Sequence, residues 1–317
     1  MKTYLLSAIV AFMLSLVFCA LLIPVLRRMK AGQNILVYVK EHKNKSGTPT
    51  MGGIAFVVAT VLSVALFVKK LTRTIVLTLA ISLAYMIVGL LDDYLKFKRK
   101  ENLGLKAWQK FLFQAFIAVF AGIYCYRAGL TALNVPFLNR VWKVGAWIIP
   151  FSAFAFIATV NGVNLTDGLD GLASAVSIPF FLFCGVILLF WSGETGMAVV
   201  CFCLVGSLLA YLLFNVSKAS VFMGDTGSLA LGGFASCVSI FTGNILYIPV
   251  IGLMFVFSVI SVVMQVIYYK ATGGKRIFLM APLHHHFQKK GYSESKIAYA
   301  YFIVTLVLGT ISVLSLL

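Results

Sequence analysis

The chain has 317 residues, of which 61% are hydrophobic and only 11% charged, with a mean hydropathy of +1.01. Soluble domains carry about 25% charged and 45–50% apolar residues, so a soluble globular protein, a disordered chain and a disulfide scaffold are excluded and a polytopic membrane protein remains. The formal net charge of +17 is divided among short loops between apolar runs, which fits the positive-inside rule and gives no reason to expect a nucleic-acid partner.

A helical span needs roughly 20 apolar residues. The first run, 4–26, is too long for a cleaved signal peptide. Pro24 and Arg27-Arg28 follow its core, and no A-x-A site appears. Runs then follow at 51–68, 74–91, 111–128, 144–161, 171–191, 197–214, 228–243, 245–269 and 297–317. They predict an all-α protein of about ten transmembrane helices, forming one domain over 1–317, with no obvious internal repeat. Ten spans place both termini on one side. The loops after runs 1, 3, 5, 7 and 9 hold 19 of the 26 Lys and Arg, and the other face holds 7. The basic face is therefore expected to be cytoplasmic and both termini extracytoplasmic.

Eight of the nine acids and all four histidines fall on that same face, with only Glu194 opposite. The positive-inside rule concerns Lys and Arg and contributes little about Asp and His, so chemistry gathered on one face is the better explanation. The six cysteines lie in or at the ends of apolar runs, form no CxxC, and read as small packing residues.

The motifs follow in chain order. Asp92 and Asp93 end the third run, ahead of the basic cluster Lys96, Lys98, Arg99 and Lys100. Neighbouring side chains on a helix point about 100° apart. One aspartate is thus expected to face the reaction while the other orients it or holds Lys96, the bland reading being a solvated helix end. Residues 161–171, NGVNLTDGLDG, bring Asn161, Asn164, Thr166, Asp167 and Asp170 to the membrane edge. They suit a nucleotide or sugar headgroup, or equally a capped polar turn. FMGDTGS at 222–228 puts Asp225 in a Gly-rich turn before a helix N-terminus, a place for an anion or a carboxylate-held magnesium. Phe222 there suits base stacking or interfacial anchoring. APLHHHF at 281–287 has neither zinc-finger nor HExxH spacing. Its histidines suit phosphate or sugar contacts, or loop packing. No aspartate lies mid-span, which disfavours a transporter with a midplane ion site. Oxygen ligands, basic loops and histidines on one face describe phosphoryl-type transfer at a membrane surface.

Three of these motifs, Asp92-Asp93, NGVNLTDGLDGLA at 161–173 and Gly224-Asp225, resemble those of the polyprenyl-phosphate N-acetylhexosamine 1-phosphate transferase superfamily. APLHHHF followed by QKKGYSESKI narrows the resemblance to the phospho-N-acetylmuramoyl-pentapeptide-transferase (MraY) family, over the whole chain. The resemblance implies attack by undecaprenyl phosphate on UDP-N-acetylmuramoyl-pentapeptide, giving lipid I and UMP. It also implies Mg2+ dependence, a homodimer, and residence in the bacterial plasma membrane with the site facing the cytoplasm. By the same resemblance Asp225 is the magnesium ligand, Asp92 the base or phosphate activator, Asp93 its support, and His284 a functional histidine. Lys45, Asn164, Asp167, Asp170, Asn215, Phe222, Gln265, His285 and His286 are then substrate-binding, with Phe222 on uracil. The alternatives are a relative using UDP-N-acetylglucosamine and, from another class, a transporter or flippase.

Overall fold

The computed structural model describes residues 1–29, 47–99, 104–138 and 140–316. Each expected apolar run contains a helix: α1 Lys2–Arg28, α2 Gly53–Phe67, α3 Arg73–Arg99, α4 Ala107–Arg127, α5 Ile148–Thr166, α6 Leu172–Ile187, α7 Thr195–Asn215, α8 Gly224–Phe241, α10 Leu253–Ala271 and α12 Glu294–Leu314. Eight helical segments are long and apolar enough to cross a membrane, and α2 is a shorter apolar helix. The protein is an all-α polytopic membrane protein. Two short helices complete it, α9 Ile248–Ile251 and α11 Leu283–Lys289. The histidine run therefore lies on a helix, where the sequence pointed only to a loop. A two-stranded hairpin was also not legible: β1 Ala132–Val135 pairs antiparallel with β2 Arg140–Lys143, Ala132 facing Lys143.

Helix α8 is the axis of the bundle. Every residue from Thr226 to Phe241 is buried, and α3, α5 and α2 pack directly on it. Its sequence, GDTGSLALGGFASCVSIF, is rich in small residues. Lipid offers apolar side chains no less favourable an environment than a helix interface, so close backbone approach drives such packing. The approach is closest where it positions chemistry. Gly89 of α3 lies against the backbone of Asp225 and Thr226, and a Cβ there would overlap the Asp225 carbonyl. That contact brings the acidic end of α3 to the first turn of α8.

The outward faces carry large apolar side chains, among them Ile9, Met13 and Leu21 on α1, Phe113, Phe116 and Phe120 on α4, and Val263 and Ile267 on α10. Exposure of this kind suits a hydrocarbon surround. All six cysteines are buried free thiols.

Candidate active site

Asp92 and Asp93 leave the last turns of α3, and Asp225 leaves the first turn of α8. One carboxylate oxygen from each comes within 4.8 Å of the others. The 100° offset between neighbours gives Asp92 and Asp93 different work beside the first turn of α8. Asp93 is buried, and both of its oxygens face the N-terminus of α8: Oδ1 accepts the Asp225 N–H at 3.2 Å, and Oδ2 accepts the Thr226 N–H at 2.9 Å and hydroxyl at 2.7 Å. A carboxylate from another helix thus caps α8, where unpaired N–H groups and the helix dipole favour negative charge.

Asp92 and Asp225 face the lysines of the cluster. Lys96 Nζ lies 2.6 Å from Asp92 Oδ2 and 2.9 Å from Asp225 Oδ2, and Lys110 Nζ lies 2.8 Å from the same Asp225 oxygen. Asp92 Oδ1 also accepts the Leu105 N–H at 2.8 Å. Lys110, one turn into α4, carried no sequence signal. Only the fold brings α4 to the mouth of the cluster. Fully ionised, the three acids and two lysines leave one net negative charge. The donor set is all carboxylate, the chemistry that suits a hard divalent cation such as magnesium.

Asn164 joins this cluster directly. Its Nδ2 donates to Asp225 Oδ1 at 2.7 Å and to Ser228 Oγ at 2.8 Å. Beyond α5 the turn 167–171 leads away to a second group. Burial, then the charges of Asp225, Asp93 and Asp170, push the Asp167 carboxyl well above the usual carboxylate range. Gly168 lies against His284, whose ring is fully buried, and a Cβ at Gly168 would overlap His284 Nε2. His284 and His285 stack edge to face at 4.4 Å. His286 turns away, its ring nitrogen accepting the Leu279 N–H at 3.1 Å beside Phe278.

Other expected site residues hold the frame. Asp170 Oδ2 accepts the Ala219 N–H at 3.1 Å. Asn215 Oδ1 accepts the Gly171 N–H at 3.1 Å, and its Nδ2 donates to the Val221 carbonyl at 2.9 Å. Together they tie the 167–171 turn to the segment before α8. Phe222 is pinned by its backbone, its N–H on the Pro49 carbonyl and its own carbonyl on the Gly52 N–H. Its ring is half-buried. Gln265 lies apart from the carboxylates: its Oε1 accepts the N–H groups of Ile277 and Phe278 at 3.1 and 2.9 Å. Lys45 lies outside the described residues.

One residue was missed as anything beyond an acid on the shared face. Glu294, the first residue of α12, accepts the Asp170 N–H at 3.0 Å and the Gln288 side-chain amide at 3.5 Å. Gln288 Oε1 in turn meets His285 Nδ1 at 3.0 Å. Glu294 thus links the 167–171 turn to the histidine helix. The [ST]xx[DE] signal preceding α12 was absent, and nothing local in the sequence points across the fold to Asp170.

The polytopic membrane bundle carries, at one end of its axis, an ion-paired carboxylate cluster of the kind that can hold a divalent metal ion. Known proteins narrow the class. Residues 74–243 match the model of glycosyl transferase family 4, and residues 45–57 match signature 1 of phospho-N-acetylmuramoyl-pentapeptide-transferase. The transferase of that name from Clostridium novyi is 42% identical over 98% of this chain and 96% of its own. That from Clostridioides difficile is 41% identical over 98% and 96%, and that from Listeria monocytogenes 42% over 96% and 95%. The chain belongs to the phospho-N-acetylmuramoyl-pentapeptide-transferase family of membrane transferases.

Proposed function

We propose that this chain transfers phospho-N-acetylmuramoyl-pentapeptide from UDP-N-acetylmuramoyl-pentapeptide to undecaprenyl phosphate, forming lipid I and UMP. The observation that carries the reading is the convergence of Asp92, Asp93 and Asp225 with Lys96 and Lys110, in a chain of this family. An oxygen of the lipid phosphate attacks the sugar-bearing phosphorus. A new P–O–P bond forms, the bond to the bridging oxygen of the UMP moiety breaks, and UMP keeps that electron pair. The lipid phosphate is already ionised, so direct attack needs no covalent enzyme intermediate.

Lys96 and Lys110 then stand where charge must be neutralised during transfer, the dominant requirement in phosphoryl chemistry. Asp92 orients the attacking phosphate. Asp93 fixes the first turn of α8, and Asn164 holds Asp225. Asp225 would hold magnesium, which when bound supplies further neutralisation of the diphosphate. Asp167, His284, His285 and Phe222 form the donor side, with Phe222 stacking on uracil. Lys45, Asp170, Asn215, Gln265 and His286 complete the proposed substrate shell, Asp170 and Asn215 by holding its frame.

The distribution of Lys and Arg supports a cytoplasmic catalytic face with extracytoplasmic termini in a bacterial plasma membrane. The whole chain acts as one domain and as a homodimer in this reading. The test is UMP release by the purified protein with undecaprenyl phosphate, magnesium, and either UDP-N-acetylmuramoyl-pentapeptide or UDP-N-acetylglucosamine. UMP from the muramoyl donor alone, abolished by chelation, is expected. UMP from the glucosamine donor alone overturns the substrate, and release from neither overturns the enzyme reading.

A further inference from the structure

The end of α8 remote from Asp225 carries a second site. With 18 residues rising about 1.5 Å each, α8 sets it about 27 Å from the carboxylates. There the hairpin β1–β2, the end of α6, the turn after α8 and the C-terminal end of α12 enclose a cavity of about 280 Å³, near the lower bound of ligand pockets. Its polar lining is Asn134, Arg140, Ser192, Asn244 and Tyr247, with the Trp191 ring at its edge.

Three observations say what it takes. Tyr247 lines the cavity and is only 2% exposed as a residue, and among the described residues its hydroxyl, the part still open to solvent, has no hydrogen-bond partner. A hydroxyl placed this way is free to donate to a ligand or to water in the cavity. Arg140 is exposed at the cavity and, among the described residues, forms no ion pair; Glu194, the acid at this end, does not line the cavity. The two asparagines are already committed to the frame, Asn134 Nδ2 donating to Asn244 Oδ1 at 2.9 Å and Asn244 Nδ2 to Thr242 at 3.0 Å. Each of those amide nitrogens keeps a second N–H, so the donors left for a ligand are a guanidinium, a phenol, a serine hydroxyl and two amide N–H groups, a set that suits a phosphate group, which guanidinium binds bidentately.

The level of the cavity identifies the source. Three of the four tryptophans, Trp142, Trp147 and Trp191, surround this end of the bundle and are 52%, 74% and 36% exposed. Tryptophans gather at the headgroup layer of a bilayer. Val141 and Phe190, beside the cavity, expose apolar surface that acyl chains can cover. We propose that this cavity binds the phosphate of an anionic phospholipid headgroup, on the membrane face opposite the transferase site.

Native mass spectrometry of the full-length, detergent-purified protein titrated with dioleoylphosphatidylglycerol tests the assignment. One tightly retained lipid is expected. Arg140→Gln should weaken it ~10-fold or more, the loss expected for a charged hydrogen-bonding partner, and Tyr247→Phe by a few-fold. Lys143→Gln, on the same hairpin but outside the cavity, should leave retention unchanged. Transferase turnover should be intact in all three, which reports that the bundle is folded. Equal retention by Arg140→Gln and the parent overturns the site. Equal losses from Arg140→Gln and Lys143→Gln overturn it in favour of diffuse attraction. Displacement of the lipid by inorganic phosphate at matched concentration overturns the lipid source.

Discussion

The carboxylate cluster and the histidine junction are neighbours, but they are held by different physics. Asp92, Asp93 and Asp225 sit on long helices, and their geometry follows from how closely α3 can approach α8 at Gly89. Around His284, by contrast, the 167–171 turn and the seven-residue helix α11 have no long helix of their own. They are set by single hydrogen bonds from Glu294, Asp170 and Asn215. Damage to the first region should be steric and global. Damage to the second should be local and graded, and should appear in the binding of one substrate before it appears in turnover.

The largest effect is expected from Asp225→Asn, which removes the charge that both lysines and Asn164 address. Turnover should fall by roughly 10²–10³-fold or more, as for loss of a preorganised electrostatic group, and its magnesium dependence should vanish with it. Near-normal magnesium-dependent UMP release would remove Asp225 from its role.

Gly89→Ala comes next. The new methyl must displace the Asp225 backbone, and overpacking of this kind costs about 1–3 kcal/mol. Thermal unfolding should start at lower temperature and activity should be lost together with it. A stable, inactive Gly89→Ala protein would show that the helix approach sets only the site and not the bundle.

Lys110→Gln probes the balance of charge. Without that ammonium the cluster has two net negative charges rather than one, so half-maximal activity should need less magnesium while maximal turnover falls. An unchanged magnesium titration would place Lys110 away from the metal's competition.

Glu294→Ala tests the second region. Loss of a hydrogen bond to a charged group is worth about 1.5–3 kcal/mol, so KM for the UDP-sugar should rise about 10-fold or more with a smaller change in kcat. Glu294→Gln keeps the acceptor for the Asp170 N–H and should restore most of the affinity. Equal losses from both variants would mean that the charge matters and not the link. Phe222→Ala should weaken donor binding by about 1–3 kcal/mol, the range for a lost stacking partner. Unchanged affinity, read by calorimetry, would remove the ring from the uracil side.

The least effect is expected from Gln265→Ala. Among the described residues its carboxamide holds only the N–H groups of Ile277 and Phe278, and an ordinary hydrogen bond contributes about 0.5–1.5 kcal/mol. Its product yield should stay within a few-fold of the parent; a loss as deep as that of Asp225→Asn would make it part of the chemistry.

Hydropathy by itself determined the class, because twenty apolar residues in a row have few alternatives to a membrane helix. Each apolar run duly contains a helix, and the run 245–269 contains two. The acidic motifs were legible for a related reason: a charge near lipid is expensive, so Asp92, Asp93 and Asp225 stand out against their surroundings. What the sequence could not give was partnership across the fold. Lys110 is one of 26 basic residues until α4 brings it to Asp225. Glu294 is one acid among nine until α12 starts beside Asp170. The hairpin at 132–143 is too short for its alternation to register, and Arg140 acquires a cavity only when α6, α8 and α12 end around it. Local pattern records what each segment buries. Which polar groups meet is decided by helix packing, since only close backbone contact, such as Gly89 on Asp225 or Gly168 on His284, brings groups distant in sequence within hydrogen-bonding reach.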